Sequence, residues 1–336
     1  MAHGINKTTN DFSSPAFIDL FAGIGGIRIG FERAGFNCVY SSENNDECRK
    51  TYYRNFGEWP DGDITKVDER YVPNHSILTA GFPCQPFSAA GRKKGFDDTR
   101  GTLFFDILRI LKEKKPEVVF LENVKNLKYH DKRRTLSIML KHLEELGYLI
   151  SWRILNGKDF GCPTNRERTV IIGSKTKKFD FTRLKRLPPV HLKDILENEG
   201  QFYYLKSPQY TLISQELIKE QDSGLVFVGY RNKPIRTNGV RPNTEHLSRV
   251  HRQCNRIYSS DGTHPTIASQ EPTGRYHIYH NGKVRRLTIN ECFSIMGFPK
   301  SFKKVSTNGD LYKQIGNSVC VPMVEQVAKE IRRQLF

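Results

Sequence analysis

The stretch FIDLFAGIGGIRIGFERAG, residues 17–35, runs from an apolar segment through a glycine turn into a helical repeat. AFIDLF reads as a strand, AGIGG as a tight turn, and IRIGFERAG as a helix stopped by Gly35 at its C′ position. A strand feeding a helix in this way opens a βαβ unit, so the expected fold is α/β with a largely parallel sheet. The same alternation continues to about residue 173. NCVYSSE, SILTAG and EVVFLENV read as further strands, and the unbroken Val-Val-Phe-Leu predicts a strand buried on both faces. Leu103, Phe104, Ile107, Leu108 and Leu111 recur at helical spacing between a cap at Asp98-Thr99 and a stop at Pro116. Leu136, Met139, Leu140, Leu143 and Leu146 do so again before Gly147, and YLISWRIL and RTVIIG follow as two more strands.

A chain of 336 residues can bury a full core and divide into two domains, or carry one large insertion. Its seven cysteines are scattered without a C-x-x-C pair, which supports neither a disulfide framework nor a zinc knuckle and points to a reducing compartment. The N-terminal stretch is polar and no apolar run approaches membrane-spanning length, so a soluble cytoplasmic protein is expected. The net charge of +17 makes a polyanion the natural partner. Much of that charge falls between Tyr230 and Tyr258, where Arg231, Lys233, Arg236, Arg241, Arg249, Arg252 and Arg256 face only Glu245. KTKKFDFTRLKRLPPV, basic and proline-bearing, reads as a linker into a turn-rich region. Helical character then returns from about residue 285.

In an open parallel sheet, ligands bind beyond the carboxyl ends of the strands, and three such places carry chemistry. The first is the glycine turn with Glu43, twenty residues after Gly23, the arrangement by which these folds hold a ribose. Arg28 stands where a dinucleotide fingerprint needs its third glycine, which favours a nucleoside cofactor without a pyrophosphate, such as S-adenosyl-L-methionine. The second is Cys84 in AGFPCQPFS, braced by Pro83 and Pro86. A lone cysteine is more often an inert core thiol, yet a core thiol gains nothing from a stiffened loop. The third is Glu122, at the end of EVVFL, where burial should raise its pKa as suits a proton donor. If the strands that precede Cys84 and Glu122 are neighbours, thiol and acid share a pocket.

These residues resemble the DNA cytosine-5 methyltransferases, with matching blocks in family order along nearly the whole chain. FIDLFAGIGG is similar to the cofactor block, GFPCQPFS to the nucleophile block, ENVKN to the glutamate block, RER within TNRERTVIIG to the arginine block, and QIGNSV to the closing cofactor block. RRLTINECFSIMGFP resembles the segment that organises target recognition. The resemblance implies a class I, Rossmann-like methyltransferase fold, doubly wound around a mostly parallel sheet, with a smaller, irregular target-recognition domain. Expected boundaries are 1–185 for the catalytic and cofactor-binding domain, 186–300 for target recognition, and 301–336 for a segment returning to the catalytic domain. It implies that Cys84 adds to C6 of cytosine, that Glu122 protonates or hydrogen-bonds N3, and that Arg168, with Arg166 behind it, stabilises O2.

For S-adenosyl-L-methionine the resemblance assigns Phe21, Gly23, Gly25, Glu43, Asp63, Ile64, Pro83, Leu103, Asn317 and Ser318. DNA contacts are expected from Ser88, Arg92, Lys93 and Lys94 in the loop after the thiol, from Arg231, Arg236, Arg241, Arg249, Arg252 and Arg256, and from Thr266 in PTIAS. Asn44 replaces a frequent tryptophan and Thr164 a frequent glutamine, which puts adenine stacking and loop support in question. The partner implied is duplex DNA with a specific short site, and a cognate restriction endonuclease acting separately is possible; no metal and no membrane are implied, and a monomer is expected. Rival readings are a transfer-RNA cytosine-5 methyltransferase on the same framework and a DNA-binding relative without catalysis. The second would be expected to lose the thiol, the acid or an arginine, and all are present. A nicotinamide-dependent oxidoreductase is disfavoured by Arg28.

Overall fold

A computed structural model describes residues 14–83, 103–234, 243–269 and 277–336. Strands β1 (Ala16–Leu20), β2 (Asn37–Ser42), β3 (Ile77–Gly81), β4 (Val118–Val124) and β5 (Leu149–Asn156) share a sheet with β7 (Glu167–Ser174), which follows the two-residue β6 (Thr164–Asn165). The order is β2-β1-β3-β4-β7-β5. β1 pairs in parallel with β2 and β3, and β3 with β4, while β7 runs antiparallel between β4 and β5.

Alternate residues of the central strands enter opposite cores, as period-two geometry requires. Phe17, Ile77, Val118 and Phe120 pack on one face; Ile18, Leu78, Val119 and Leu121 pack on the other. The first face is covered by α1 (Gly26–Arg33) and by a helix from the far end of the chain, α7 (Val321–Leu335). The second is covered by α3 (Leu103–Lys114) and α4 (Arg134–Glu145); α2 (Asp46–Phe56) follows β2. Helices on both faces of a mostly parallel sheet make this a doubly wound α/β fold. The α1–α7 contact depends on Gly30, because a Cβ there would lie 2.6 Å from Val324 Cγ1. Gly35, at φ 85°, ends α1 as its position in the sequence predicts.

The turn-rich region holds more order than its sequence suggests. Strands β8 (Tyr210–Leu212), β9 (Phe227–Arg231), β10 (Arg256–Ser259), β12 (His277–His280) and β13 (Lys283–Arg286) form a second sheet in the order β13-β12-β10-β9-β8. None exceeds five residues, too few for alternation to stand out from turn residues. This sheet is anchored to the main body in two ways. Between β10 and β12, β11 (His264–Pro265) pairs with β6, setting His264 beside Thr164. From β13, Arg285 makes a buried two-point ion pair with Glu291, at 2.7 and 2.9 Å, in α5 (Ile289–Ile295). The basic stretch read as a linker is docked in its first half: Phe179 and Phe181 are buried, and the Asp180 N–H donates to Gln334 Oε1 of α7 at 2.9 Å. The apolar content of that half is two phenylalanines among lysines, so composition hides the anchoring. Helix α6 (Asn308–Asn317) completes the chain before α7, and no described helix is long and apolar enough to cross a membrane.

Candidate active site

A cavity of about 750 Å³ opens beyond the carboxyl ends of β1 to β4. One end is built by the glycine turn. Phe21 and Gly23, both at φ 56°, and Gly25, at φ 83°, bend the chain from β1 into α1. The Gly23 N–H donates to Glu43 Oε2 at 2.8 Å, and Glu43 Oε1 accepts from the Asn45 N–H at 2.8 Å, so one carboxylate ties the turn to the start of α2. Asp63 accepts from the Thr65 N–H and hydroxyl, which hold its carboxyl below the usual carboxylate range. Phe21, Gly23, Glu43, Asp63 and Ile64 all line this end. Gly25 does not; it caps α1, and a Cβ there would strike the Phe56 ring. Asn317 and Ser318 complete the wall, and they can approach because Gly26 has no side chain: a Cβ would lie 2.6 Å from Ser318 Oγ. Pro83 and Leu103 also border the cavity.

The other end carries the acid. β3 and β4 are parallel neighbours with Gly81 opposite Glu122, so the segment leaving β3 toward Cys84 starts beside that carboxyl. Glu122 Oε1 accepts from Arg168 Nε at 2.9 Å, and both side chains are about nine-tenths buried. Burial raises the Glu122 pKa, opposed by the charges of Arg168 and Arg166. Arg168 Nη1 donates to the carbonyl of Glu167 at 2.8 Å, which fixes the plane of the guanidinium. Arg166 is committed differently. Its Nη1 donates to the Ile267 carbonyl at 2.9 Å, and its Nη2 to those of Gly316 and Ser318 at 2.8 and 2.5 Å. It thereby joins β6, the segment after β11 and the closing segment at one point.

Thr266 also lines the cavity, and its hydroxyl donates to the Asn165 carbonyl at 2.7 Å. Gln253 Nε2 reaches the Thr266 carbonyl at 3.0 Å, which brings the stretch with exposed Arg249 and Arg252 beside the cavity mouth. Arg256 donates to the His251 carbonyl at 3.0 Å, while Arg231 is half-buried at the end of β9; neither lines the cavity. Cys84, Ser88, Arg92, Lys93, Lys94, Arg236 and Arg241, with the Asp98-Thr99 cap, lie outside the described residues. Thr164 is buried in β6.

Two positioning residues escaped the sequence reading. Asn123 Nδ2 donates to the Phe82 carbonyl at 2.9 Å, holding the end of β4 to the backbone two residues before Cys84. The signal was present, since an asparagine follows the acid inside a strand otherwise apolar. Arg28, read only as a missing glycine, is buried and bonded to Glu32, Tyr52 and Glu58. It locks α1 to α2, and no local pattern announces that.

A model of the C-5 cytosine-specific DNA methylase family matches residues 16–333. Type II methyltransferase M.HhaI of Haemophilus parahaemolyticus is 39% identical over 330 residues, 95% of this chain and 94% of that one. Type II methyltransferase M.NlaX of Neisseria lactamica is 41% identical over 326 residues, with 95% and 96% covered. Among solved structures, the Entamoeba histolytica methyltransferase EhMeth superposes with a TM-score of 0.68 at 19% identity, covering 96% of this chain and 99% of that one. The Dnmt2 methyltransferase of S. pombe superposes with a TM-score of 0.67 at 18% identity, covering 96% and 100%. With a glycine turn tied to Glu43 at one end of the cavity, an acid–arginine pair at the other, and a family match over nearly its whole length, the chain belongs to the C-5 cytosine-specific DNA methylases.

Proposed function

We propose that the protein methylates C5 of a cytosine swung out of a specific short site in duplex DNA, through a transient bond between Cys84 and C6, as the modification enzyme of a restriction system. The reading is supported foremost by the Glu122–Arg168 pair at the mouth of β4, in parallel register with the strand that leads to Cys84. The cavity also fits a nucleoside cofactor. Its turn end offers Glu43 for ribose hydroxyls and Asp63 for a base amine, Gly26 lets Ser318 close the wall, and Arg28 fills the place where a pyrophosphate site would need glycine.

S-adenosyl-L-methionine would supply there the electrophilic methyl that C5 takes up. Cytosine C5 is a weak nucleophile, so Cys84 first adds as thiolate to C6 and pushes electron density toward C5. Glu122, whose hold on a proton burial strengthens, donates to N3 as charge builds on the ring, and Arg168 stabilises O2. Once C5 has its methyl and has lost its proton to a base, the C6–S bond breaks and the thiolate leaves. A stacked duplex hides C6 from any side chain, so the base must leave the helix at a cost of a few kcal/mol. Thr266 and the exposed arginines beside it are suited to hold the flanking strand. Duplex DNA carrying 5-fluorocytosine tests the reading, because fluorine at C5 blocks the final elimination. A denaturation-resistant adduct at Cys84 is the expected product; an adduct at another residue, or none in the presence of the cofactor, would reject it.

A further inference from the structure

The segment that leaves β4 just past Glu122 is KNLKYHDKRR, residues 125–134, with five basic side chains against the single Asp131. Only part of that charge is spent internally. Lys125 pairs with Glu167 at 2.6 Å, which fastens the start of the segment next to Arg168, and Asp131 is paired with Arg134. Lys128, Lys132 and Arg133 have no carboxylate partner among the described residues; Lys128 lies over the Tyr129 and Trp152 rings and Arg133 over Tyr129. Lys132, Arg133 and Tyr129 are exposed.

The backbone here is unusual as well. Asp131, Lys132 and Arg133 have φ of 46°, 56° and 71°, three successive left-handed residues without a glycine. Such a run costs roughly 1–2 kcal/mol per residue and needs a compensating use. None of the three lines the cavity, but the segment that carries them leaves it at Val124, and unneutralised cations on a chain that takes a polyanion have an obvious electrostatic complement.

We infer that Lys128, Lys132 and Arg133 form a second phosphate-contacting surface, which grips duplex DNA flanking the target base from the catalytic side. It rests on the reading of this protein as a duplex DNA methyltransferase and adds a contact outside the second sheet. Phosphate contacts fix register and orientation without reading sequence, so the surface would raise affinity for every duplex alike. Each phosphate neutralised adds about 0.9 to the slope of log affinity against log salt.

The test compares Lys132→Glu/Arg133→Glu with Lys177→Glu/Lys178→Glu, a pair of exposed lysines that follow β7 at the opposite end of the sheet from the cavity. Binding to a random-sequence 30-base-pair duplex is followed by fluorescence anisotropy over a range of salt. The first variant should lose about 2 from the salt slope, by the same rule, and bind at least tenfold more weakly at low salt, while the second stays near wild type. An unchanged slope in the first variant, or an equal loss in both, overturns the assignment even though the wild type binds DNA. A wild type that fails to bind duplex at all removes instead the reading on which the assignment rests.

Discussion

At the scale of single residues, two buried carboxyls do different work, Glu122 in the lining of the cavity and Asp19 outside it. Glu122 sits beside Arg168 and is still held above its ordinary pKa by burial, so its proton is available to a ring nitrogen. Glu122→Gln keeps an acceptor for Arg168 but cannot deliver that proton. Its kcat should fall about 10²- to 10⁴-fold with DNA affinity retained, and the fall of wild-type activity as pH rises through the Glu122 pKa should vanish in single-turnover methylation assays. Asp19, fully buried in β1, accepts from Thr79 at 2.9 Å and is pushed up to about 7 by burial, against the opposing effects of that bond and of Arg28. Between about pH 4 and pH 7 the folded chain holds a proton that the unfolded chain has released. Stability therefore falls with rising pH across that window and levels above it. At about 1.4 kcal/mol per pH unit, the loss is on the order of 2–4 kcal/mol. Asp19→Asn should abolish this component, and melting temperatures of the two proteins from pH 4.5 to 8 should diverge in the variant's favour.

Among elements, close approach decides more than propensity does. A glycine inside α1 costs about 1 kcal/mol relative to alanine, yet Gly30→Ala would set a methyl 2.6 and 2.8 Å from Val324 and 3.0 Å from the Glu325 backbone. Overpacking of that kind costs about 1–3 kcal/mol, so the net effect should be a loss of stability in urea denaturation. Adding Val324→Ala should recover part of it, as a positive coupling in the double-mutant cycle. Position 30 also marks where the sequence becomes hard to read. The strands of the main sheet and the helices on it were legible because each carries its own periodicity, as in EVVFLENV or the leucines of α4. That α7 returns from the far end to pack on α1 is a long-range fact that no local pattern contains. The same division holds in the site. Glu43 and Glu122 were visible because strand ends are predictable, whereas the commitment of Arg166 to three carbonyls required segments about 100 and 150 residues away in sequence to meet.

At the scale of the whole molecule, Arg166 is the joint. Replacing it with methionine would strip a charged donor from three carbonyls in a buried setting, at about 1–3 kcal/mol for each acceptor left without a partner. Some would relax or admit water, so Arg166→Met should cost about 3–5 kcal/mol in chemical denaturation, with weaker binding of a cofactor product analogue by calorimetry. An effect confined to catalysis, with stability intact, would assign Arg166 to the base and not to the frame.

The pairing of β11 with β6 bears on how new specificities could be made by exchanging segments between relatives. Residues 264–269 lie in sequence between β10 and β12 of the second sheet, but in space they belong to the frame: His264 is in register with Thr164, Ile267 holds Arg166, and the Ser269 backbone nitrogen lies 2.5 Å from where a Cβ on Gly316 would stand. A chimera joined after Ser269 would import foreign backbone into that crowded seam, whereas a junction just before His264 would leave it native. Crossovers at the earlier point should yield soluble hybrids more often.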